Sequence, residues 1–194
     1  MNFRYSILSN KEREKLLNFL LSEKNITIDF SLTDYEISKI SKFQKPYLSL
    51  GYALQYLFLK NRGILIVNYY DLIPERIINH VADQLNCKSK KLNTYWTIKN
   101  TKSKHTQDII KSLGYKKFEL NSEIEIILYN ITSSFGSNSD MIKKLIEELH
   151  LNKVVIPTIS TLEEVISKAI ISTDDIIYKK IYDQIEYKDK LEYL

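Results

Sequence analysis

The chain has 194 residues, 44% of them apolar, and a net charge of +4. That apolar content excludes a disordered chain and is enough for a packed core. A single cysteine, Cys87, excludes an internal disulfide and a multi-cysteine zinc site.

Four glycines and three prolines favour long helices over a turn-rich β architecture. The opening "MNFRYSILSNKEREKLL" has no long apolar run before its charges, so no signal peptide is read. No apolar stretch reaches the ~18 residues of a membrane span. A soluble, cytosolic protein without membrane contact is the expectation.

Ser9 and Glu12 form a capping box in "SNKE" ahead of Leu16, Leu17, Leu20 and Leu21, which predicts the first helix. "IDFSL" reads as a short extended segment, and a second helix is predicted from about Thr33 to Lys42. Pro46 fits the first turn of a third helix that closes at Gly63. Leu50, Ala53, Leu54, Leu57 and Phe58 give it a core face. Gly51 inside that helix costs about 1 kcal/mol against Ala, so it marks close helix packing. "ILIVNYY" at 64–70 is either a short strand or a buried connection.

Pro74 opens the next helix, "PERIINHVADQLN", and a short helix follows from about Ser89 to Tyr95. A basic linker leads to "SKHTQDIIKSLG", a helix ended by Gly114. Asn121 caps "SEIEIILYNITSSF", which Gly136 closes. A helix at about 139–150, a break at Pro157 and a helix from the capping box of Ser160 and Glu163 come next. Thr173 begins a final helix that runs to the chain end without a stop signal.

The charge is segregated along this order. Residues 1–80 carry +3, residues 81–118 carry +7 and residues 119–194 carry −6. Lys88, Lys90, Lys91, Lys99, Lys102 and Lys104 lie between Asp83 and Asp108 with no acid among them. Lys39, Lys42, Lys45, Lys60 and Arg62 form a second acid-free run. Such segregation is either the footprint of a polyanion binder or the ordinary surface of a lysine-rich chain.

The most basic stretch coincides with a helix-turn-helix pattern. Ala82 is the small residue of the first helix, and Val81 and Leu85 are core positions. Asn86 stands at the sharp turn, being the non-glycine residue best able to take a left-handed backbone. Cys87, Leu92 and Tyr95 fill the remaining apolar slots. Ser89, Lys90, Lys91, Asn93 and Thr94 then face outward, with side chains that can donate to phosphates and base edges. A neutral helical hairpin follows the same apolar pattern, and the local charge favours DNA binding over it.

Other residues carry weaker signals. His105 either donates to a phosphate or caps and packs. Tyr95 and Tyr115 are candidates for sugar–phosphate contact. Cys87 is read as a buried turn residue with no His–acid pairing to activate it. His80, His105 and His150 lack metal-ligand spacing. The pairs Glu147–Glu148, Glu163–Glu164 and Asp174–Asp175 are read as solvated helix surface. No motif places a catalytic residue, a metal site or a cofactor.

Four segments resemble the N-terminal region of Tn-three-family transposases in order and spacing. They are "LSLGYALQYLFLKNRG", "IPERIINHVADQLN", "YWTIKNTKSKHTQDIIKSLGY" and "VVIPTISTLEEVISKA", within about residues 3–187. The matching positions are Gly51, Tyr52, Ala53, Gln55 and Gly63, then Pro74, Ala82, Gln84 and Leu85. His105, Gly114 and Tyr115 follow, and then Pro157, Thr161, Leu162 and Glu163. Asn86 replaces the family's glycine, and lysines replace its arginines. Lysine gives point-charge contacts to phosphate and not the bidentate guanine contact of arginine.

The resemblance implies a bacterial, nucleoid-associated chain that recognises the terminal inverted repeats of a transposon through helix-turn-helix-like modules. It implies that catalysis, with its divalent metal, belongs to a later ribonuclease-H-like domain that so short a chain does not hold. The expectation is an all-α chain: tandem helix-turn-helix-like modules at 1–72 and 73–135, then an acidic helical segment at 136–194. The expected contacts to double-stranded DNA are Lys42, Lys45, Lys88, Ser89, Lys90, Lys91, Asn93, Thr94, Lys99, Lys102, Lys104 and His105. The acidic segment is expected to face the rest of a transposase or a dimer partner. The alternative is a helical protein–protein interaction module, or a stand-alone relic of the family without cleavage activity.

Overall fold

A computed structural model describes residues 6–134 and 136–192, with Lys180 and residues 184–192 as backbone only. The fold is all-α, and among the described residues β pairing is confined to isolated bridges. The helices are α1 (Asn10–Leu20), α2 (Ile26–Asp29), α3 (Asp34–Ile40), α4 (Pro46–Arg62), α5 (Glu75–Gln84), α6 (Leu92–Thr97), α7 (Lys99–Leu113), α8 (Ser122–Thr132), α9 (Asn138–Leu151) and α10 (Ile159–Glu192). No described helix is long and apolar enough to cross a membrane.

Two compact units share the chain. The larger comprises Glu14–Phe118 and Leu149–Pro157, and the smaller Met1–Arg13, Glu119–Glu148 and Thr158–Leu194. Residues on both sides of position 72 thus belong to one unit, a different partition from the expected modules. The reason is α4, whose Leu50, Ala53, Leu54, Leu57, Phe58 and Leu59 are all buried. One face of a helix cannot be surrounded so fully, and α5, α6 and α7 all pack on α4 together with α3.

Local signals set the ends of α4. Pro46 occupies its first turn. Gly63 ends it with φ 67° in a pocket where a Cβ would press on His150 and Ile156. The Ile156 amide then donates to the Gly63 carbonyl at 2.8 Å, and Lys116 and Lys153 pair at the same distance. The segment 64–70 is therefore a buried connection: one bridge from Ile64 to Ile156, then 3-10 turns at Ile66–Asn68 and Tyr70–Leu72.

Gly51 meets the expectation of close packing. A Cβ there would overlap the ring of Tyr95 on α6. "IDFSL" is not extended as expected. Asn25 takes a left-handed φ of 60° and starts the helical turn α2, which includes Ile28 and Asp29.

The helix α3 is fixed by one carboxylate. Glu36 accepts from the Thr33 amide at 2.8 Å, the Tyr56 hydroxyl at 2.6 Å and the Lys60 ammonium at 2.8 Å. Burial alone would raise its pKa, but the Lys60 bond and the other two donors outweigh burial and hold it at about 2.

In the smaller unit α8 packs along α10. Asn121 caps α8 as expected, accepting from the Ile124 amide at 3.0 Å. The helix ends at Thr132, short of Gly136, where the Ser133 amide donates to the Tyr129 carbonyl at 2.9 Å; Phe135 lies outside the described residues. Thr173 does not begin a helix. It is buried in mid-α10, its hydroxyl 2.7 Å from that of Thr132. The expected end of the chain falls on Tyr193 and Leu194, outside the described residues.

The capping box expected of Ser160 and Glu163 is also replaced. Thr158 takes the capping place, with Leu162 donating to its carbonyl at 3.0 Å. Glu163 turns inward, 1% exposed, and accepts from the Arg13 guanidinium and the Leu8 amide at 2.9 and 3.1 Å. Its reading as solvated surface was therefore incorrect; Asp174, Asp175, Glu147 and Glu164 are exposed. Glu163→Gln removes the charge from this pair and is expected to cost about 1.5 kcal/mol. Urea unfolding measures it, and an unchanged midpoint would mean that the pair holds nothing together.

Candidate nucleic-acid interface

The candidate interface begins where α5 stops. The Cys87 amide donates to the Ala82 carbonyl and the Asn86 amide to the Asp83 carbonyl, both at 3.0 Å. This pair of bonds is the Schellman arrangement, which needs a left-handed residue, and Asn86 supplies it with φ 48°. Gln84 anchors the same end. Its amide donates to the Phe30 carbonyl at 2.8 Å and its oxygen accepts from the Leu32 amide at 2.7 Å.

After the turn the chain makes a 3-10 turn at Ser89–Lys91 and enters α6. Leu92, Tyr95 and Trp96 are buried on one side of α6. Lys88, Lys90, Lys91, Asn93 and Thr94 are exposed. Ser89 is half-buried, its hydroxyl 3.4 Å from Asn79. Among the described residues the three lysines make no ion pair. Val81, Ala82, Leu92 and Tyr95 are buried and Lys90, Lys91, Asn93 and Thr94 face outward as the pattern predicts, whereas Leu85, Cys87 and Ser89 are only half-buried and the second helix is short.

Behind this segment lies a buried polar network. Gln55 on α4 donates to the Tyr95 hydroxyl, and Thr106 on α7 donates to the Gln55 carbonyl oxygen at 2.6 Å. The Tyr95 hydroxyl is 3.1 Å from His105 Nδ1. Tyr95 accepts from Gln55, which leaves its own proton free to donate to Nδ1 of a neutral His105. Phe43 and Tyr52 close over the imidazole, with ring centroids 4.7 and 5.1 Å away. His105 therefore packs and does not face a phosphate: burial pulls its pKa down against the pull of Asp108 in the other direction. Tyr95 is fully buried and Tyr115 nearly so, the latter's hydroxyl 2.9 Å from His150. Neither reaches a sugar–phosphate.

A pH dependence follows from these histidines. Burial lowers His150 as well, with Arg62 adding to the effect. A histidine depressed in the fold is protonated first in the unfolded chain, from about pH 6.5 downward. Stability is thus fully present above that pH and is lost as pH falls toward the folded values. The thermal midpoint is expected to drop between pH 7.5 and 5.5, and less so in His105→Asn. A midpoint flat over that range would contradict the assignment.

The "basic linker" before α7 is helix. Ile98 accepts from the Lys102 amide at 3.0 Å, and no glycine or proline interrupts the run from there to Gly114. Lys99 and Lys104 are exposed on α7. Lys102 is not a free cation: its ammonium donates to the Trp96 carbonyl at 2.8 Å and clamps the end of α6 to α7. Lys42 and Lys45 are exposed between α3 and α4, Lys45 lying 5.9 Å from the Tyr47 ring. Cys87 is half-buried, and burial with Asp83 beside it raises the thiol pKa, the opposite of an activated nucleophile.

The reading of 96–102 as linker hid part of α7. Asn100, Ser103, Gln107 and Lys111 are also exposed on this helix. Continuing the helical period back from Ile109 to Lys99 would have placed them on one face.

Residues 7–169 match a family described as a domain of unknown function, DUF4158. The transposase for transposon Tn21 of Escherichia coli is 24% identical over 184 residues, covering 94% of this chain. The transposase for transposon Tn2501, also of Escherichia coli, is 22% identical over 96% of the chain. The transposase for transposon Tn1546 of Enterococcus faecium is likewise 22% identical over 96%. The chain spans 19% of the length of the Tn2501 relative and 18% of the Tn21 one.

Proposed function

Given that the chain belongs to the DUF4158 domain family, we propose that it binds double-stranded DNA sequence-specifically at the terminal inverted repeats of a transposon, as the N-terminal part of a transposase. The observation that carries this reading is the Asn86 turn, which leads directly into an exposed, acid-free segment whose three lysines make no ion pair among the described residues. Lys88, Lys90 and Lys91 contact phosphates, and Asn93 and Thr94 point to base edges in the major groove. Lys42, Lys45, Lys99 and Lys104 extend the backbone contact. The parts of the expected modules that lie at 14–72 and 73–118 act as one body in this reading, through the α4 core they share.

Strand cleavage and its divalent metal belong to another part of such an enzyme; the relatives are transposases about five times longer than the match. The acidic helical part faces protein, either a second copy or the rest of the transposase. Its support is charge together with Ile171, Ile177, Tyr178 and Ile181, all exposed on α10. Efficient photo-crosslinking of 119–194 to DNA would contradict that placement.

Titration of a fluorescent duplex at several salt concentrations tests DNA binding itself. Log affinity should fall linearly with log salt, by about 0.9 for each phosphate neutralised. An interaction module without DNA function shows no binding at 50 mM salt.

A further inference from the structure

We infer that the outer face of α7 is a second base-reading surface, on which Asn100, Ser103 and Gln107 meet base edges while Lys104 and Lys111 in the same row hold the phosphate backbone; this rests on the DNA-binding reading above. At 3.6 residues per turn these five positions stack in one row, opposite the buried His105 and Ile109. All five are exposed, and among the described residues none makes a side-chain hydrogen bond or ion pair. Side-chain amides pair with adenine edges, and ammonium groups hold phosphates.

Two features separate this row from an ordinary solvated helix face. The first is the absence of acid. The exposed faces of α1, α5, α8 and α9 include Glu14, Asp83, Glu123 and Glu147. The single acid of α7, Asp108, flanks the row, and its carboxylate accepts from the Tyr52 hydroxyl at 2.7 Å. The second is reach and rigidity. Fifteen residues make α7 about 22 Å long, against about 9 Å for the six of α6. Lys102 ties α7 to α6, and Thr106 ties it to α4, so the row is held by a rigid body.

The test selects duplexes from a randomised pool with the wild-type chain, then compares the enriched duplex with a shuffled one. In Asn100→Ala/Gln107→Ala the ratio of the two affinities should fall by about 10-fold or more, with binding to the shuffled duplex nearly unchanged. Lys104→Ala/Lys111→Ala should weaken both duplexes alike. Circular dichroism confirms that each variant remains helical. If the wild type enriches a sequence and the Asn100/Gln107 variant retains the same ratio, α7 does not read bases while DNA binding stands. If the wild type enriches no sequence, both readings fall.

Discussion

Replacing Lys88, Lys90 and Lys91 together by alanine lowers affinity for duplex DNA by about 100-fold at 0.15 M salt and flattens the salt slope by up to about 2.7. The magnitude follows from counterion release, three phosphate contacts at about 0.9 each. The three side chains are exposed and make no ion pair among the described residues, so the fold loses no partner with them. Stability should stay within about 0.5 kcal/mol of the parent. A slope that does not move while the protein remains folded would show that these ammonium groups do not reach the backbone. Loss of affinity with an unchanged slope would mean that the substitutions act on something other than phosphate.

The second large effect lies in the core beneath that segment. Gly51→Val should cost about 3 kcal/mol, and Gly51→Ala less. Alanine would ordinarily gain about 1 kcal/mol over glycine inside a helix. Here the new Cβ falls on the Tyr95 ring, and the ring has no free direction. Gln55 and His105 hold its hydroxyl, and Trp96 stands at its edge with centroids 4.8 Å apart. Relief must therefore come by moving α6, which displaces Asn93 and Thr94 too. A double-mutant cycle identifies the cause: in a Tyr95→Leu background the penalty of Gly51→Ala should shrink or reverse. Equal penalties in the two backgrounds would place the strain elsewhere.

These predictions differ in how far they were legible in the sequence. Ser9, Pro46, Gly63, Gly114 and Asn121 each state their role within three or four residues, because capping and left-handed turns are local chemistry. Asn86 belongs with them, and so does the burial of Leu92 and Tyr95 one turn apart. Gly51 was legible as close packing but not as contact with Tyr95.

The misread positions are those whose role comes from a distant partner. Glu163 stands three residues after Ser160 and looks like half of a capping box, yet Arg13 and Leu8 claim it. Thr173 resembles a helix start until Thr132 takes its hydroxyl. His105 beside lysines looks like a phosphate ligand, and only the ring packing of Phe43, Tyr52 and Tyr95 shows it to be core. Lys102 counts as positive charge in the sequence, but its ammonium is occupied by the Trp96 carbonyl. Charge counts alone therefore overstate the candidate surface.

Hydroxyl-radical footprinting of the wild-type chain on DNA spanning its own coding region and both flanks tests the central claim most directly. Protection confined to matching, inverted sequences at the two flanks is the predicted result. Uniform weak protection along the whole fragment, or none, would contradict it.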